Sequence, residues 1–506
     1  MRPLRELAIA TALVLAATTA RAQHLPTSGP SPPKAPVNAP TPDDDDERRG
    51  RTLPNPPSGA RSDTAPGAIG TSEHAAETTS KPTAGSGRTS PKRALPDYDG
   101  RGEPPTTAGD VALWVPRVLF YPLYFVTECV IRRPLGWLIT TAERKQWPQA
   151  IRDFFVFGPD KKAGVVPTAF LDFGFRASIG VYAFWDDLLG KDNHLRLHAT
   201  TLGVDWLSLA IADRIPIGDT SVIDLRVEGV HRPDQLFAGF GPRAREEDRV
   251  RYGIDRLMAR PVFETTWWRG SRVSTEAGVR YMRFRDDACC DDPSLVREVR
   301  AGRGALPTGF QGYTAVYQRG ELTIDTRETR PADQSGFRME LEAEHGSDVR
   351  RSRSNWVRYG GSIGGYVDIK NNRTLSLSLT TLFVDPISGG EVPFTEQIIL
   401  GGNGPMRGYL YGRLTDRSAA IATVKYRWPI WAFLDGTLQI ATGNVFGARL
   451  DGFKPSLLRL SGAMGIESIG AADHTFELLV GAASETFASG TEINSFRLLF
   501  GTNRGF

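Results

Sequence analysis

The stretch Leu400–Tyr409 carries the residues of this chain best suited to a defined contact. It reads Leu-Gly-Gly-Asn-Gly-Pro-Met-Arg-Gly-Tyr, so Gly401, Gly402 and Gly408 flank Arg407. Glycine accepts positive φ and a close backbone approach without steric cost, so these glycines allow a loop to turn sharply. Arg407 can then place its planar fork against carboxylates or carbonyls. The alternative is a surface turn with a solvated Arg407, since glycine-rich loops are common.

Two adjacent cysteines form a second candidate site. Cys289 and Cys290 lie in the acidic run Asp286–Asp292, and Cys129 makes the number of cysteines 3, which is odd. Zinc usually takes ligands two to four residues apart, which adjacent cysteines do not provide. We expect an acidic surface loop with a local disulfide, and a functional metal site is the alternative.

Catalytic motifs give little support for an enzyme. The sequence contains neither an H-E-x-x-H zinc motif nor a Walker phosphate-binding loop. We expect no enzymatic activity and no cofactor; a lipase inside a barrel is the alternative, because catalytic residues on strands need not be close in sequence. The chain has 61 Lys+Arg against 58 Asp+Glu, a net charge of +3, so nucleic acid is not an expected partner.

The elements that position these residues have a hydrophobic period of two from about residue 163. Leu375–Leu379, Phe337–Glu344 and Ile223–Glu228 each alternate apolar with polar or charged residues. Such alternation fits either a soluble β-sandwich or a transmembrane barrel. No apolar run reaches the roughly 18 to 20 residues of a membrane-spanning helix, which excludes a helical membrane protein.

The number and spacing of the segments favour an all-β, 16-stranded antiparallel transmembrane barrel. An even strand number is typical of closed bacterial barrels, and the long connections 232–247, 286–310 and 385–417 all follow odd-numbered strands. If the N-terminus is periplasmic, these long loops lie outside the cell, and short turns such as Lys370–Arg373 lie on the periplasmic side. The predicted strands span 165–173, 175–186, 193–202, 204–214, 219–231, 248–267, 271–285, 311–327, 335–346, 355–369, 373–384, 418–431, 435–446, 457–469, 474–484 and 493–506.

Three further segments precede this barrel, which we assign to residues 161–506. Residues 1–22 read as a signal peptide, with Arg2 and Arg5 before an apolar run and small residues ahead of Gln23. Residues 23–108 are rich in Pro, Ser and Thr, and predict a disordered linker. Residues 109–160 predict short amphipathic helices broken by prolines, suited either to a membrane surface or to a packed cap on the barrel. We expect 23–160 in the periplasm.

The chain resembles the outer-membrane assembly-factor and surface-antigen barrel family, the BamA/TamA family. The C-terminal signal Phe506 closes an alternating strand, and Gly401, Gly402, Met406, Arg407, Gly408 and Tyr409 match the family's inward loop motif between strands eleven and twelve. Tyr426–Pro429, Gly443–Phe446 and Phe237–Pro242 also resemble family elements. The resemblance covers about residues 163–506 and implies an outer-membrane location.

The chain also departs from this family. Lys425 and Ala441 occupy places where members often carry acidic partners for the loop arginine, so the resemblance leaves Asp435, Glu477 or backbone carbonyls to contact Arg407. No segment before the barrel has the pattern of a periplasmic polypeptide-transport-associated (POTRA) domain.

The resemblance implies a role in protein insertion, protein translocation or lipid handling at the outer membrane. Outer-membrane lipid and unfolded outer-membrane or secreted proteins are the expected partners. A passive pore or structural barrel is the alternative.

Overall fold

The computed structural model describes Tyr121, Phe125, Cys129 and residues 133–145, 153–158, 160–328, 334–350, 354–370, 372–431, 434–468 and 474–504. The predicted signal peptide, the predicted linker and Phe506 lie outside the described residues. Helix α1 (Arg133–Arg144) and the short strand Val156–Phe157 precede the barrel. No helix among the described residues is long and apolar enough to cross a membrane.

The barrel consists of sixteen antiparallel strands, as the alternation and spacing predicted, and one sheet of 17 strands holds them together with the short strand Val156–Phe157. Consecutive strands pair, and the last strand pairs with the first, which closes the barrel. The strands are β1 Ala163–Asp172, β2 Ser178–Asp186, β3 His194–Thr201, β4 Leu207–Ile217, β5 Ser221–Phe237, β6 Val250–Trp268, β7 Ser271–Arg285, β8 Tyr313–Asp325, β9 Gly336–Asp348, β10 Asn355–Lys370, β11 Arg373–Pro386, β12 Ser418–Trp431, β13 Leu434–Phe446, β14 Arg459–Ser468, β15 His474–Ser484 and β16 Ile493–Arg504.

The two faces of the strands distinguish a barrel from a soluble sandwich. On β11, Leu375, Leu377 and Leu379 are exposed on the outside, whereas Ser376 and Ser378 face inward. The same inversion holds along β5 and β9, whose inward positions carry arginines and carboxylates. Water would solvate the polar face of a soluble sandwich, but here the apolar face is the exposed one. The exterior therefore suits hydrocarbon, and the interior is polar.

The connections differ between the two ends of the barrel. Residues 286–312, 387–417 and 447–458 connect strands at one end, which we call the long-loop end. The predicted loop at 232–247 begins later, because β5 continues to Phe237 across a register shift between Arg232 and Gln235. Pro233 lies at this irregularity, and proline has no N–H for a ladder hydrogen bond.

Short helices and one hairpin lie within the loops. Helix α2 (Leu295–Arg300) lies between β7 and β8, and the pair Ile398–Leu400 and Leu414–Asp416 forms the loop hairpin between β11 and β12. Turns of 3-10 helix are at Glu246–Asp248, Phe394–Glu396, Ala448–Leu450, Pro455–Leu457 and Phe487–Ser489.

Glycine makes room for a buried aromatic ring where β9 pairs with β10. Gly346 is the register partner of Trp356, and a Cβ on Gly346 would lie 2.3 Å from the indole ring. Trp356 is fully buried, so its ring has little freedom to move away. A Cβ on Gly365, in the same β9–β10 pair, would meet open space.

We therefore expect Gly346→Val to lower the free energy of unfolding by about 1–3 kcal/mol, through overpacking against Trp356. Gly365→Val is the matched control and should remain within about 0.5 kcal/mol of the unsubstituted chain. Urea unfolding of both variants in lipid vesicles measures the difference. Equal unfolding midpoints for the two variants would contradict this account of the packing.

Candidate functional site

The connection between β11 and β12 turns back into the barrel, and we call residues 387–417 the inward loop. Gly401 and Gly402 follow the first strand of its hairpin with φ values of 101° and 67°. A Cβ on Gly401 would lie 2.3 Å from the carbonyl oxygen of Leu410. Glycine is therefore required here for both its conformation and its size.

The tip of the inward loop lies against the wall formed by β14, β15 and β16. Arg407 forms a buried ion pair with Glu477 of β15. The Gly408 N–H donates to Ser461 Oγ at 2.8 Å, and the Tyr409 hydroxyl donates to the carbonyl of Ser484. Met406 is fully buried. The structure thus brings the predicted motif residues together on one part of the wall.

Gly408 allows the tip to approach this wall closely. A Cβ on Gly408 would lie 2.2 Å from the carbonyl oxygen of Ala482. On the wall, a Cβ on Gly481 would lie 3.0 Å from the Cα of Gly408. The contact is therefore between two backbones, and a larger residue at Gly408 would push the loop toward the centre of the lumen.

The opposite wall holds the inward loop through a carboxylate. Glu396 is buried and accepts hydrogen bonds from Arg280 of β7 and from the Tyr313 hydroxyl of β8. Phe394, two residues before Glu396, packs against Phe284 with ring centroids 5.0 Å apart. The loop therefore crosses the lumen between two anchors of opposite polarity, Arg407 on one wall and Glu396 on the other.

A second ionic cluster joins the loops at the long-loop end. Arg413 is 1% exposed and contacts Glu246 at 2.7 Å, Glu485 at 3.1 Å and the Ala244 carbonyl at 2.9 Å. Burial alone would raise the pKa of Glu485, but a hydrogen bond from Asn494 and the positive charges of nearby arginines lower it below its usual value. This cluster ties the inward loop to the β5–β6 and β15–β16 loops.

Among the described residues, the seam between β16 and β1 has the fewest register pairs of any junction in the barrel. These pairs are Leu499↔Asp172, Phe500↔Leu171 and Gly501↔Phe170, and beside them the Phe173 N–H donates to the Leu498 carbonyl at 2.9 Å. By comparison, β1 pairs with β2 over 163–170, and β15 pairs with β16 over nearly their full lengths. Among the described residues, no register pair across the seam includes 165–169 of β1, and only Ala169 lies close to β16, where a Cβ on Gly501 would be 2.4 Å from its carbonyl oxygen.

Two features close the seam at its ends. The short strand Val156–Phe157, which the sequence did not predict, pairs with Gly164 and Ala163 at the start of β1. At the other end, Arg497 of β16 forms a bidentate pair with Asp172 of β1, with both N···O distances 2.8 Å. Both side chains of this pair are buried.

The other residues singled out from the sequence include Lys425, Ala441 and the two adjacent cysteines. Lys425 contacts Glu467 at 3.4 Å, and Ala441 is buried without a charge to offer Arg407. Cys289 and Cys290 are bonded to each other as a disulfide. Among the residues that the structure describes, no group of three His, Cys, Asp or Glu side chains is arranged to hold a metal ion.

Two sequence patterns resemble those of enzymes. Gly360–Gly364 matches G-x-S-x-G, but its Ser362 lies in the middle of β10, not at a strand-to-helix turn, and donates to Glu340 at 3.1 Å. His194 and His198 are four residues apart on β3. That spacing separates them by about 13 Å along an extended strand, too far to share a metal ion.

Sequence reasoning missed several residues of this site, namely Asp172, Glu396 and Arg497. Arg497 lies on the inward face of the last strand, where the alternation of Phe496, Leu498 and Phe500 marks the opposite, outward face. That parity was the available signal for an inward charge. Glu396 and Asp172 carry no such signal, since one lies in a loop and the other at a strand end.

The fold and the inward loop define a class, the outer-membrane β-barrels whose lumen is crossed by a long loop. The model of the Omp85 superfamily domain matches residues 244–450 of this chain. The matched range includes the inward loop. The described residues ahead of β1 contain no POTRA domain.

Two solved structures are similar to this chain. One is BamA from Haemophilus ducreyi lacking POTRA domains 1–3, with 12% identity, a TM-score of 0.47, and coverage of 68% of this chain and 70% of that chain. The other is CdiB from Acinetobacter baumannii, with 11% identity, a TM-score of 0.43, and coverage of 68% and 60%. No curated protein matches this chain.

We expect Glu477→Gln to release the tip of the inward loop, because a charged hydrogen bond to a buried arginine is worth about 1.5–3 kcal/mol. Arg407→Ala should act in the same direction, and both variants should raise the conductance of the purified barrel in planar lipid bilayers. Glu467→Gln is the matched control, since Glu467 is the register partner of Glu477 but pairs with Lys425. Unchanged conductance in both loop variants would contradict the anchoring role.

Proposed function

We propose that this chain is an outer-membrane barrel that lets a polypeptide client insert into the membrane, or cross it, through parting of β1 and β16. The observation that carries the proposal is the seam of three residue pairs. A ladder hydrogen bond contributes about 0.5–1.5 kcal/mol net, so this junction costs less to open than its neighbours. Polypeptide is the client class because an open strand edge offers unpaired N–H and C=O groups, which another strand can satisfy.

The inward loop supports a gated barrel over a passive pore. It crosses the lumen between Glu477 and Arg280, and the aromatic cluster around Phe394 fills the long-loop end. A passive pore does not need a loop that crosses its lumen and is held by ion pairs on two walls. We propose that the loop keeps the lumen closed at rest and moves when a client enters.

The segment ahead of β1 fits a location at the membrane surface on the periplasmic side. In α1, Trp137 is 70% exposed, and Phe154 and Phe157 are exposed before the barrel begins. Exposed aromatic side chains suit the interface between lipid headgroups and acyl chains. We propose outer-membrane lipid as the partner of this segment.

A covalent crosslink between β1 and β16 tests the proposal. Leu171→Cys and Phe500→Cys place thiols on register partners across β1 and β16, and a short reducible thiol crosslinker bridges them. The control pair is Val480→Cys with Leu498→Cys, which are register partners on β15 and β16. Both pairs are made in the full chain with Cys129→Ser.

The readout is insertion of a urea-denatured eight-stranded outer-membrane barrel into vesicles that contain each variant. The bridged seam should slow insertion by at least about tenfold, one decade being 1.4 kcal/mol of barrier, and reduction should restore the rate. The control bridge should leave the rate unchanged. Equal rates with the seam bridged and open would reject the proposal in favour of the passive or structural barrel.

A further inference from the structure

Arg497 occupies a position where the seam and the inward loop meet. A guanidinium has five N–H donors, and all five find acceptors here. Nε and one Nη2 hydrogen bond go to the Asp172 carboxylate at 2.8 Å. The remaining hydrogen bonds reach Asn403 Oδ1 at 3.3 Å, the Arg407 carbonyl at 3.2 Å and the Gly402 carbonyl.

These acceptors belong to two parts of the molecule that move in the proposed function. Asp172 lies on β1, across the seam, whereas Gly402, Asn403 and Arg407 lie in the tip of the inward loop. Arg497 itself is on β16 and its side chain is 1% exposed. Of the five hydrogen bonds of this buried charge, two therefore cross the seam and three go to the loop.

Removing either half leaves a buried cation with unmatched donors. If the loop withdraws, Arg497 loses three acceptors; if β1 parts, it loses its only carboxylate. A guanidinium that keeps only one set of partners stays buried with unmatched donors, whereas water can solvate it once both sets have moved away. Each movement therefore favours the other. Arg407 differs, because its Nε has no hydrogen-bond partner among the described residues.

We propose that Arg497 is a positioning residue that couples the inward loop to the seam, so that the two release together. This inference rests on the proposed function, in which the seam opens. The coupling is reciprocal, as thermodynamic linkage requires. A change confined to β1 must therefore loosen the loop, and a change confined to the loop must loosen the seam.

The test uses the full chain in lipid nanodiscs with Cys129→Ser and two separate reporters. Seam closure is the crosslinking yield between Leu171→Cys and Phe500→Cys. Loop withdrawal is the rate at which a bulky water-soluble maleimide labels Met406→Cys, since Met406 is fully buried in the folded loop. Loop labelling is measured in variants altered at the seam, and seam crosslinking is measured in variants altered in the loop.

Asp172→Asn should raise the loop-labelling rate at least about fivefold, the lower end of typical allosteric couplings, although Asp172 makes no hydrogen bond to the loop among the described contacts. Arg407→Ala should lower the seam crosslinking yield, although the Arg407 side chain contacts β15. Arg497→Gln should change both readouts, and adding Asp172→Asn to it should change neither further. Glu467→Gln, the control, should leave both as in the unsubstituted chain.

Two outcomes overturn the inference. One is an Asp172→Asn variant that loosens the seam and leaves the loop-labelling rate unchanged; the other is an additive effect of Asp172→Asn on Arg497→Gln. Heat-modifiable gel migration identifies variants that do not fold. Arg497→Lys keeps the charge with only three donors, and should give the same uncoupling if Arg497→Gln does not fold.

Failure of this inference is distinguishable from failure of the proposed function. If the two reporters respond together but the barrel with a bridged seam still inserts the client, the coupling stands and the proposed function is rejected. If the two reporters respond independently but the bridged seam blocks insertion, the proposed function stands and the coupling is rejected.

Discussion

A buried guanidinium on the last strand must be satisfied by acceptors from elsewhere in the chain, and the closed form of this barrel depends on that requirement. Arg497 reaches Asp172 across the seam and the backbone of the inward loop above it. The loop can offer its carbonyls only when Gly401 and Gly402 turn it back and Gly408 lets it approach the wall. Seam closure, loop position and motif glycines thus follow from one electrostatic constraint.

The exterior and the interior of the barrel carry side chains of opposite polarity. Outside, rows of apolar side chains such as Leu375, Leu377 and Leu379 suit hydrocarbon. Inside, arginines and carboxylates on β5 to β10 pair with one another, as in Arg260 with Glu276. The inner wall from β13 to β16 carries smaller residues, including Ser461, Ala463 and Gly481, and the loop tip lies there because backbone can approach backbone.

The sequence was sufficient to predict most of the fold. Alternation along the strands and the sorting of long connections gave sixteen segments that agree with the structure to within a few residues at most boundaries. The extension of β5 to Phe237 was missed because a register shift near Pro233 breaks the alternation there. The short strand Val156–Phe157 was missed because two residues carry no period.

The site was predicted less completely, because its contacts join residues far apart in the chain. The motif around Arg407 was visible as a run of glycines, and Glu477 was one of several candidate partners. Arg497 and Asp172 lie on strands at opposite ends of the barrel domain, and only closure of the barrel brings them together. Nothing in the sequence distinguishes Glu396 from the other acidic residues, because its role depends on the loop folding into the barrel.

Hydrogen exchange of the full chain in nanodiscs, measured peptide by peptide, tests this account most directly. The account predicts fast exchange of the amides of 165–169 that face the seam, because the others in this segment pair with β2 and Pro167 has no amide N–H. It also predicts slow exchange throughout β5 to β8, and joint acceleration of 170–172 and 399–409 in Arg497→Gln. Protection of the seam-facing amides of 165–169 equal to that of β5 to β8, or acceleration of only one of the two segments in the variant, would contradict it.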